Sequence, residues 1–168
     1  VQHMTPVILL SDGYIANGAE PWRFPQTKDL PEIEVHFQKE LIEGQEKYLP
    51  YLRDLKMVRK WVVPGTPGLE HRIGGLEKED VTGNVSYDPD NHQHMVKTRQ
   101  AKVDQIAHFI PLQTLDSGPE KGKVLMLGWG STYGAIKRAA LELQGEGHAV
   151  SHAHLRYLRP FPSNLGDI

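Results

Sequence analysis

A strand–helix–strand pattern in the last third of the chain limits the possible folds more than any other feature. The run from Lys123 to Gly128 is apolar and predicts a buried strand. Residues 129–132 predict a tight turn, in which Ser131 or Thr132 can cap the helix that follows. That helix has an apolar face made of Ile136, Ala139, Ala140 and Leu143. A second strand is predicted from Ala149 to Tyr157, so the unit predicts two parallel strands and an α/β fold.

A second apolar run lies near the start of the chain. Val7 to Leu10 follows Pro6 and precedes Asp12-Gly13, the pattern of a strand buried on both faces of a parallel sheet. No partner strand is predicted nearby. Two strands with one helix leave one sheet face and both edges open. We therefore expect a longer native chain, or another subunit, to complete the sheet.

The middle of the chain predicts little regular structure. Proline, glycine and charge dominate residues 17–31, and short helices interrupted at Gly44 and Pro50 are predicted between residues 37 and 55. Successive turn signals fill residues 63–91, which we expect to wrap over a neighbour as a strap. A helix is predicted from His94 to just before Pro111. We expect one side of it to carry Val96, Val103, Ala107 and Ile110, and the other Lys97, Arg99 and Lys102.

Composition excludes several classes of function. The 168 residues include 19 Lys and Arg against 21 Asp and Glu, a net charge of -2 that gives no attraction to nucleic acid or an anionic membrane. There is no cysteine, so this chain can hold neither a disulfide nor an iron–sulfur cluster. The sequence shows no secretory signal and no apolar run near the ~20 residues that a bilayer requires, which predicts a cytoplasmic protein.

Several motifs, taken in order, resemble the alpha subunits of 2-oxoacid:ferredoxin oxidoreductases. The motifs are most similar to those of the 2-oxoglutarate synthase type. The resemblance places this chain in the C-terminal portion of such a subunit. Residues 5–14 and Glu20-Pro21-Trp22 resemble the end of the family's pyrimidine-binding domain. Residues 68–71, 74–78 and 82–86 and the helix with Arg99 and Lys102 resemble the family's linker. Residues 127–134 and 154–162 resemble its transketolase C-terminal-like domain.

The resemblance implies a domain plan. Residues 1–25 would end a thiamine-diphosphate pyrimidine-binding domain, residues 26–95 would form a linker with short helices, and residues 96–168 would be an incomplete transketolase C-terminal-like domain. It also implies an oxidoreductase complex that decarboxylates a 2-oxoacid oxidatively with CoA to an acyl-CoA and reduces ferredoxin. Thiamine diphosphate, Mg²⁺, an iron–sulfur cluster and CoA would serve that complex, with a beta subunit as partner in a hetero-oligomer. The isolated chain is expected to be inactive, with no catalytic or metal-binding residue of its own.

Two candidate sites remain for this chain. Gly130, Ser131 and Thr132 precede a helix, where backbone N–H groups can hold an anion such as a phosphate of CoA, although the glycines can equally serve a tight turn and close packing. Asp12 and Asn17 follow the predicted first strand at the sheet edge where α/β proteins bind ligands, although Asp12-Gly13 can equally be turn chemistry.

Other features allow alternatives. His152 and His154 alternate on the predicted strand, but zinc needs three or four ligands, so we expect hydrogen-bonded or surface histidines. Trp22, Trp61 and Trp129 suit a subunit interface or a core. The charges on the long helix either face solvent or pair with a partner subunit. Two alternative functions stay open: the same family acting on pyruvate or a branched-chain 2-oxoacid, or an independent nucleotide-binding or interaction module.

Overall fold

The computed structural model describes residues 1–19, 21 and 23–168. In chain order the helices and strands of this part are α1 (Gly13–Asn17), α2 (Pro89–Gln105), β1 (Val124–Trp129), α3 (Tyr133–Gly145) and β2 (Val150–Leu155). The chain divides into two compact units, Val1–Pro6 with Pro25–Gln105 and Val7–Phe24 with Ile106–Ile168. None of the helices in the described ranges is long and apolar enough to cross a membrane.

The second unit contains the predicted strand–helix–strand motif. β1 and β2 pair in parallel, with Val124 opposite Val150 and Trp129 opposite Leu155. Helix α3 connects them and turns its predicted apolar face inward, where Ala140 is fully buried. The α/β prediction is confirmed, and both strands lie within one or two residues of their expected bounds.

Strand β2 forms the core of this unit. His152 and Ala153 are wholly buried, and Val150, Ser151 and Leu155 are nearly so. Besides β1, a second segment pairs with β2: the backbone N–H of Asp116 donates to the His152 carbonyl at 2.8 Å, and that of His152 donates to the Ser117 carbonyl at 2.9 Å. β2 is therefore covered by neighbours along its length. Val124, Leu125, Leu127 and Trp129 of β1 are exposed, so the prediction that β1 is a buried strand is wrong.

The prediction of a buried strand from Val7 to Leu10 is wrong for this chain. These four apolar residues form no strand, and their exposed fractions lie between 71% and 89%. The reason is physical: a strand needs a hydrogen-bonded neighbour, and no other described segment pairs with this one. The run ends at Asp12, where α1 begins.

The first unit is largely irregular, as predicted, but the expected short helices between residues 37 and 55 are absent there. Isolated bridges join distant residues instead, including Phe37 with Trp61 and Tyr51 with Val81. A single 3₁₀ turn precedes this stretch at Thr27–Asp29. The buried apolar residues of the unit are Tyr48, Val58, Leu69 and Met95. Residues 63–88 consist of turns and bridges, which confirms the turn-rich prediction.

Helix α2 begins earlier than predicted and presents a different face. It starts at Pro89 rather than His94, and the Asp88 carboxylate accepts from the Asp90 backbone N–H at 2.9 Å. Proline in the first turn after such a cap favours helix initiation. Met95 is the buried residue of the helix, while Val96 of the predicted apolar side is 42% exposed. On the predicted charged side, Lys97 and Arg99 are exposed but Lys102 is half-buried.

Candidate functional site

The loop between β1 and α3 carries the first predicted site. Gly130–Thr132 forms one 3₁₀ turn that leads into α3. Gly130 has φ +63, a conformation that favours glycine, and a Cβ there would meet nothing within 4 Å. A Cβ on Gly128 would lie 2.4 Å from Cδ1 of Ile136, so this glycine permits close contact between strand and helix. Gly130 therefore suits the turn, and Gly128 suits the close packing.

Neither hydroxyl of the loop caps α3 as the sequence predicted. The Thr132 hydroxyl donates to the Trp129 carbonyl at 2.8 Å, and α3 has no side-chain cap bond. The Ser131 hydroxyl donates to the Asp12 carboxylate at 2.7 Å. Both hydroxyls are already engaged, since the 3₁₀ turn directs one to its own backbone and the other to a distant carboxylate.

Asp12 comes from the second predicted site, 119 residues away in sequence, and the structure joins it to the first. Its carboxylate also accepts from the Tyr14 backbone N–H at 2.8 Å and so caps α1. The Ser131 hydroxyl, followed by the Tyr14 N–H, lowers the pKa of Asp12 below its ordinary value. Asp12 is thus a carboxylate held in place beside the loop. Its bond to the Tyr14 N–H is the turn contact that the sequence analysis gave as the alternative to ligand binding.

Asn17 does not join this arrangement. Its side-chain amide donates to the Gly13 carbonyl at 2.7 Å, within the same short helix. No described contact brings it to Gly130, Ser131 or Thr132. Its role in ligand binding, like that of the loop and Asp12, stays a prediction.

A cluster that the sequence did not identify as a site lies directly beyond the loop. The ring of Tyr133, the first residue of α3, has its centroid 4.9 Å from that of His154 and 5.7 Å from that of His152. The two imidazoles share one face of β2, with centroids 6.3 Å apart, as their alternation predicts. His152 is wholly buried, and neither ring nitrogen has a hydrogen-bond partner among the described residues. The expectation of a surface or hydrogen-bonded histidine is therefore wrong at this position.

The electrostatics of the cluster favour a neutral His154. Burial is the main cause that lowers its pKa, and the nearby His152 and Arg156 act in the same direction, while Asp116 opposes them. The Asp116 carboxylate lies 3.9 Å from Nδ1 of His152, beyond hydrogen-bond distance. The ammonium of Lys137 donates to the Tyr133 hydroxyl at 2.9 Å, and this bond raises the pKa of Lys137. No three of the described acidic, histidine or cysteine side chains converge well enough to hold a metal ion.

The three tryptophans occupy different environments. Trp61 is half-buried in the first unit, and Trp129 at the end of β1 is 57% exposed. Trp22 and its neighbour Glu20 in the motif at residues 20–22 lie outside the described residues. Trp129 is therefore not a core residue of this chain, and the alternatives of core and interface stay open at Trp61.

Comparison with known proteins gives one consistent result. No protein-family model matches the chain. It is 50% identical over 169 aligned positions to the 2-oxoglutarate oxidoreductase subunit KorA of Mycobacterium tuberculosis, an alignment that covers 100% of this chain and 25% of that protein. It is 30% identical over 162 positions to the alpha subunit of 2-oxoacid:ferredoxin oxidoreductase 1 of Aeropyrum pernix, covering 94% of this chain and 24% of that subunit.

A solved structure agrees with these relatives. The 2-oxoglutarate:ferredoxin oxidoreductase from Magnetococcus marinus, with 2-oxoglutarate, coenzyme A and succinyl-CoA bound, matches with a TM-score of 0.70 and 27% identity. The match covers 85% of this chain and 24% of the solved chain. The chain therefore spans about a quarter of the length of the curated relatives it matches.

Proposed function

The chain is a relative, over its whole length, of the alpha subunits of 2-oxoacid:ferredoxin oxidoreductases, and we propose that it serves as a segment of such a subunit. The reaction is the oxidative decarboxylation of a 2-oxoacid with CoA to an acyl-CoA, with electrons passed to ferredoxin. The substrate is 2-oxoglutarate, since both the relative at 50% identity and the solved neighbour carry that acid in their names. The alternative function, an independent nucleotide-binding or interaction module, is not favoured by these relatives.

The main support for the proposed role is that much of the apolar surface of this segment is exposed. Val7, Ile8 and Leu9 are each more than 80% exposed, and β1 exposes both of its ends at Val124 and Trp129. Contiguous exposed apolar surface of this kind marks an interface, and a two-stranded sheet is marginal by itself. The role is therefore structural: this segment supports the complex through surfaces that other parts of the subunit, or a beta subunit, cover.

The redox chemistry would be held outside this segment. Iron–sulfur clusters need thiolate ligands, and the sequence has no cysteine. The clusters would thus be bound by other parts of the complex. We propose that thiamine diphosphate and Mg²⁺ are bound there too, so that the isolated chain has no turnover.

The finer domain plan belongs to the same proposal. Residues 1–25 end a pyrimidine-binding domain, residues 26–95 form the linker, and residues 96–168 begin a transketolase C-terminal-like domain. The parallel pair β1 and β2 supports the last assignment, because that domain is built on a parallel sheet. The exposed run at residues 7–10 supports the first, because it has the composition of a buried strand whose neighbours lie elsewhere.

Asp12 and Asn17 stay proposed as a separate ligand site. The loop at Gly130, Ser131 and Thr132 is proposed to bind an anion such as a CoA phosphate. The geometry sets a condition on this role. Because the Asp12 carboxylate accepts from Ser131, an incoming phosphate must displace it or bind to the backbone N–H groups beside it.

Anoxic purification with this chain as bait tests the proposal. We expect a beta subunit, iron and thiamine diphosphate to accompany it, and the complex to reduce a viologen dye with 2-oxoglutarate and CoA. Pyruvate and a branched-chain 2-oxoacid are the matched substrate controls, and faster turnover of either would overturn the choice of 2-oxoglutarate. Recovery of a monomer without either cofactor would contradict the proposed function as a whole.

A further inference from the structure

The first unit contains a cavity of about 350 Å³ whose wall is strongly cationic. Six residues define its character: Arg53, Arg59, Arg99 and Lys102 supply four positive charges, and Tyr51 and Trp61 supply aromatic surface. No described carboxylate lines it. Cavities that bind small molecules have volumes of about 300–1,000 Å³, so the space suits a small ligand.

Two of the four cations are neutralised by carboxylates outside the wall. The guanidinium of Arg53 donates to Asp80 at 2.5 Å, and that of Arg99 donates to Glu77 at 3.2 Å. Each of these carboxylates also accepts from a histidine on α2. Their charge is balanced, and their geometry is fixed by these pairs.

The other two cations are not balanced in this way. Arg59 is half-buried, and its guanidinium has no ion pair or hydrogen bond with any described residue. Lys102 donates once, to the Met4 carbonyl at 3.2 Å. Since a guanidinium has five N–H donors and an ammonium three, most of the donors of this pair are unused.

The field inside the cavity is positive. Burial is the main cause that lowers the pKa of Lys102, and the charges of Arg53 and Arg59 lower it further. Only Asp54 acts in the opposite direction. An anion placed among these groups would relieve both the burial of charge and the mutual repulsion.

Backbone strain gathers around the same cavity. Met4 and Met57 line it with φ values of 48 and 57, in the left-handed region that non-glycine residues rarely adopt. A third such residue, Val81 at φ 63, accepts a backbone hydrogen bond from Tyr51 of the wall. Strained backbone of this kind concentrates at ligand-binding sites, where the surrounding structure maintains it.

From this geometry we propose that the cavity binds a small phosphate ester, with its phosphate between Arg59 and Lys102 and its apolar or ring portion against Tyr51 and Trp61. A doubly charged, tetrahedral group can use more of the free donors than a carboxylate, and arginine matches phosphate geometry well. The aromatic side chains offer a stacking surface for a planar group. This inference goes beyond the proposed function, which assigns no ligand to these residues.

Titration of the complete oxidoreductase complex tests the inference, with AMP and inorganic pyrophosphate as probes and glutarate as the carboxylate competitor. Binding is measured by calorimetry and by quenching of Trp61 fluorescence, against a Trp61→Phe variant. We expect both phosphate probes to bind, AMP more tightly because of its ring, and Arg59→Gln and Lys102→Met each to weaken binding about tenfold or more.

Matched controls isolate the cavity. Lys97→Met removes the same charge from an exposed position on α2, and Arg72→Gln does so elsewhere in the unit, so both should change the affinity less than about twofold. Arg59→Lys keeps the charge and should cost less than Arg59→Gln, which distinguishes lost recognition from misfolding. No binding of either phosphate probe, equal effects of cavity and control variants, or tighter binding of glutarate than of AMP would overturn the proposal. The readout is binding, so a failure of the proposed enzymatic activity would not affect it.

Discussion

Strand β2 and the run from Val7 to Leu10 lie in the same unit but have opposite environments, although the run is the more apolar of the two. Ala153 and Leu155 of β2 are at most 5% exposed, whereas Leu9 in the run is 89% exposed. The difference lies in their neighbours: β2 has β1, α3 and residues 116–119, and the run has no pairing segment in the described chain. An apolar run thus predicts where a strand would be buried, but burial requires partners that the same chain must supply.

A matched pair of leucine truncations gives the largest expected contrast. Leu155→Ala removes a buried side chain and should lower the free energy of unfolding of the chain by about 2–5 kcal/mol. Leu9→Ala removes an exposed one and should change it by less than about 0.5 kcal/mol. Chemical denaturation followed by circular dichroism measures both. Equal losses would show that the run is buried within the chain itself.

Two glycines extend the contrast to the backbone. Gly118 has φ +92, and a Cβ there would lie 2.3 Å from the Val150 carbonyl and 2.7 Å from Cα of Ser151. Gly118→Ala should therefore separate this segment from β2 and lower the free energy of unfolding by about 1–3 kcal/mol. Gly13→Ala, in α1 after the run, meets nothing within 4 Å and should be neutral or slightly stabilising. If Gly118→Ala lowered the free energy of unfolding less than Gly13→Ala, the close contact between Gly118 and β2 would be excluded.

A histidine on β2 should make the stability of the unit depend on pH. Because burial lowers the pKa of His154 below 6.5, the unfolded chain binds the extra proton first as the pH falls. Stability should be complete above pH 6.5 and decrease as the pH falls from there through the folded pKa. His154→Gln should reduce this slope, whereas His148→Gln, at an exposed position, should reduce it less. The free energy of unfolding, measured from pH 7.5 to 5, gives the slope of stability against pH. An unchanged slope in His154→Gln would mean that other groups cause the pH dependence.

The smallest expected effect is on the pKa of Asp12, which follows the apolar run at residues 7–10. The Ser131 hydroxyl lowers the pKa of Asp12, so Ser131→Ala should raise that pKa toward its ordinary value. The stabilisation from Asp12 exists above its unfolded pKa and is lost as the pH falls through its folded pKa, in the acidic range. Titration of the Asp12 carboxyl by NMR measures the shift, and Thr132→Ala, whose hydroxyl bonds elsewhere, is the control. No difference between the two variants would mean that the contact does not form in solution.

Local signals were sufficient to predict the strand–helix–strand unit, since β1, α3 and β2 each carry their own periodicity and turn residues. The sequence also contains a start signal for α2, because Asp88 followed by Pro89 favours helix initiation, although the surrounding turn residues predict a turn there. The short helices predicted between residues 37 and 55 failed for a different reason. Their residues form isolated bridges with residues 59, 61 and 81, and tertiary pairing outweighs a weak local preference.

The candidate site depended on contacts that no local pattern contains. Asp12 and Ser131 were each predicted as separate sites, and nothing in the sequence links two residues so far apart. The alternation of His152 and His154 predicted their shared face, but not that segment 116–119 would bury His152 without a hydrogen-bond partner among the described residues. The cationic cavity likewise joins four positions that are spread over fifty residues.

We propose that other parts of a 2-oxoacid:ferredoxin oxidoreductase complete this segment. Hydrogen–deuterium exchange of the peptide that covers residues 7–10 tests it most directly, in the isolated chain and in the complete enzyme. We expect rapid exchange in the isolated chain, where these residues form no strand, and strong protection in the complete enzyme, where neighbouring strands would pair with them. Equally rapid exchange in the complete enzyme would contradict it.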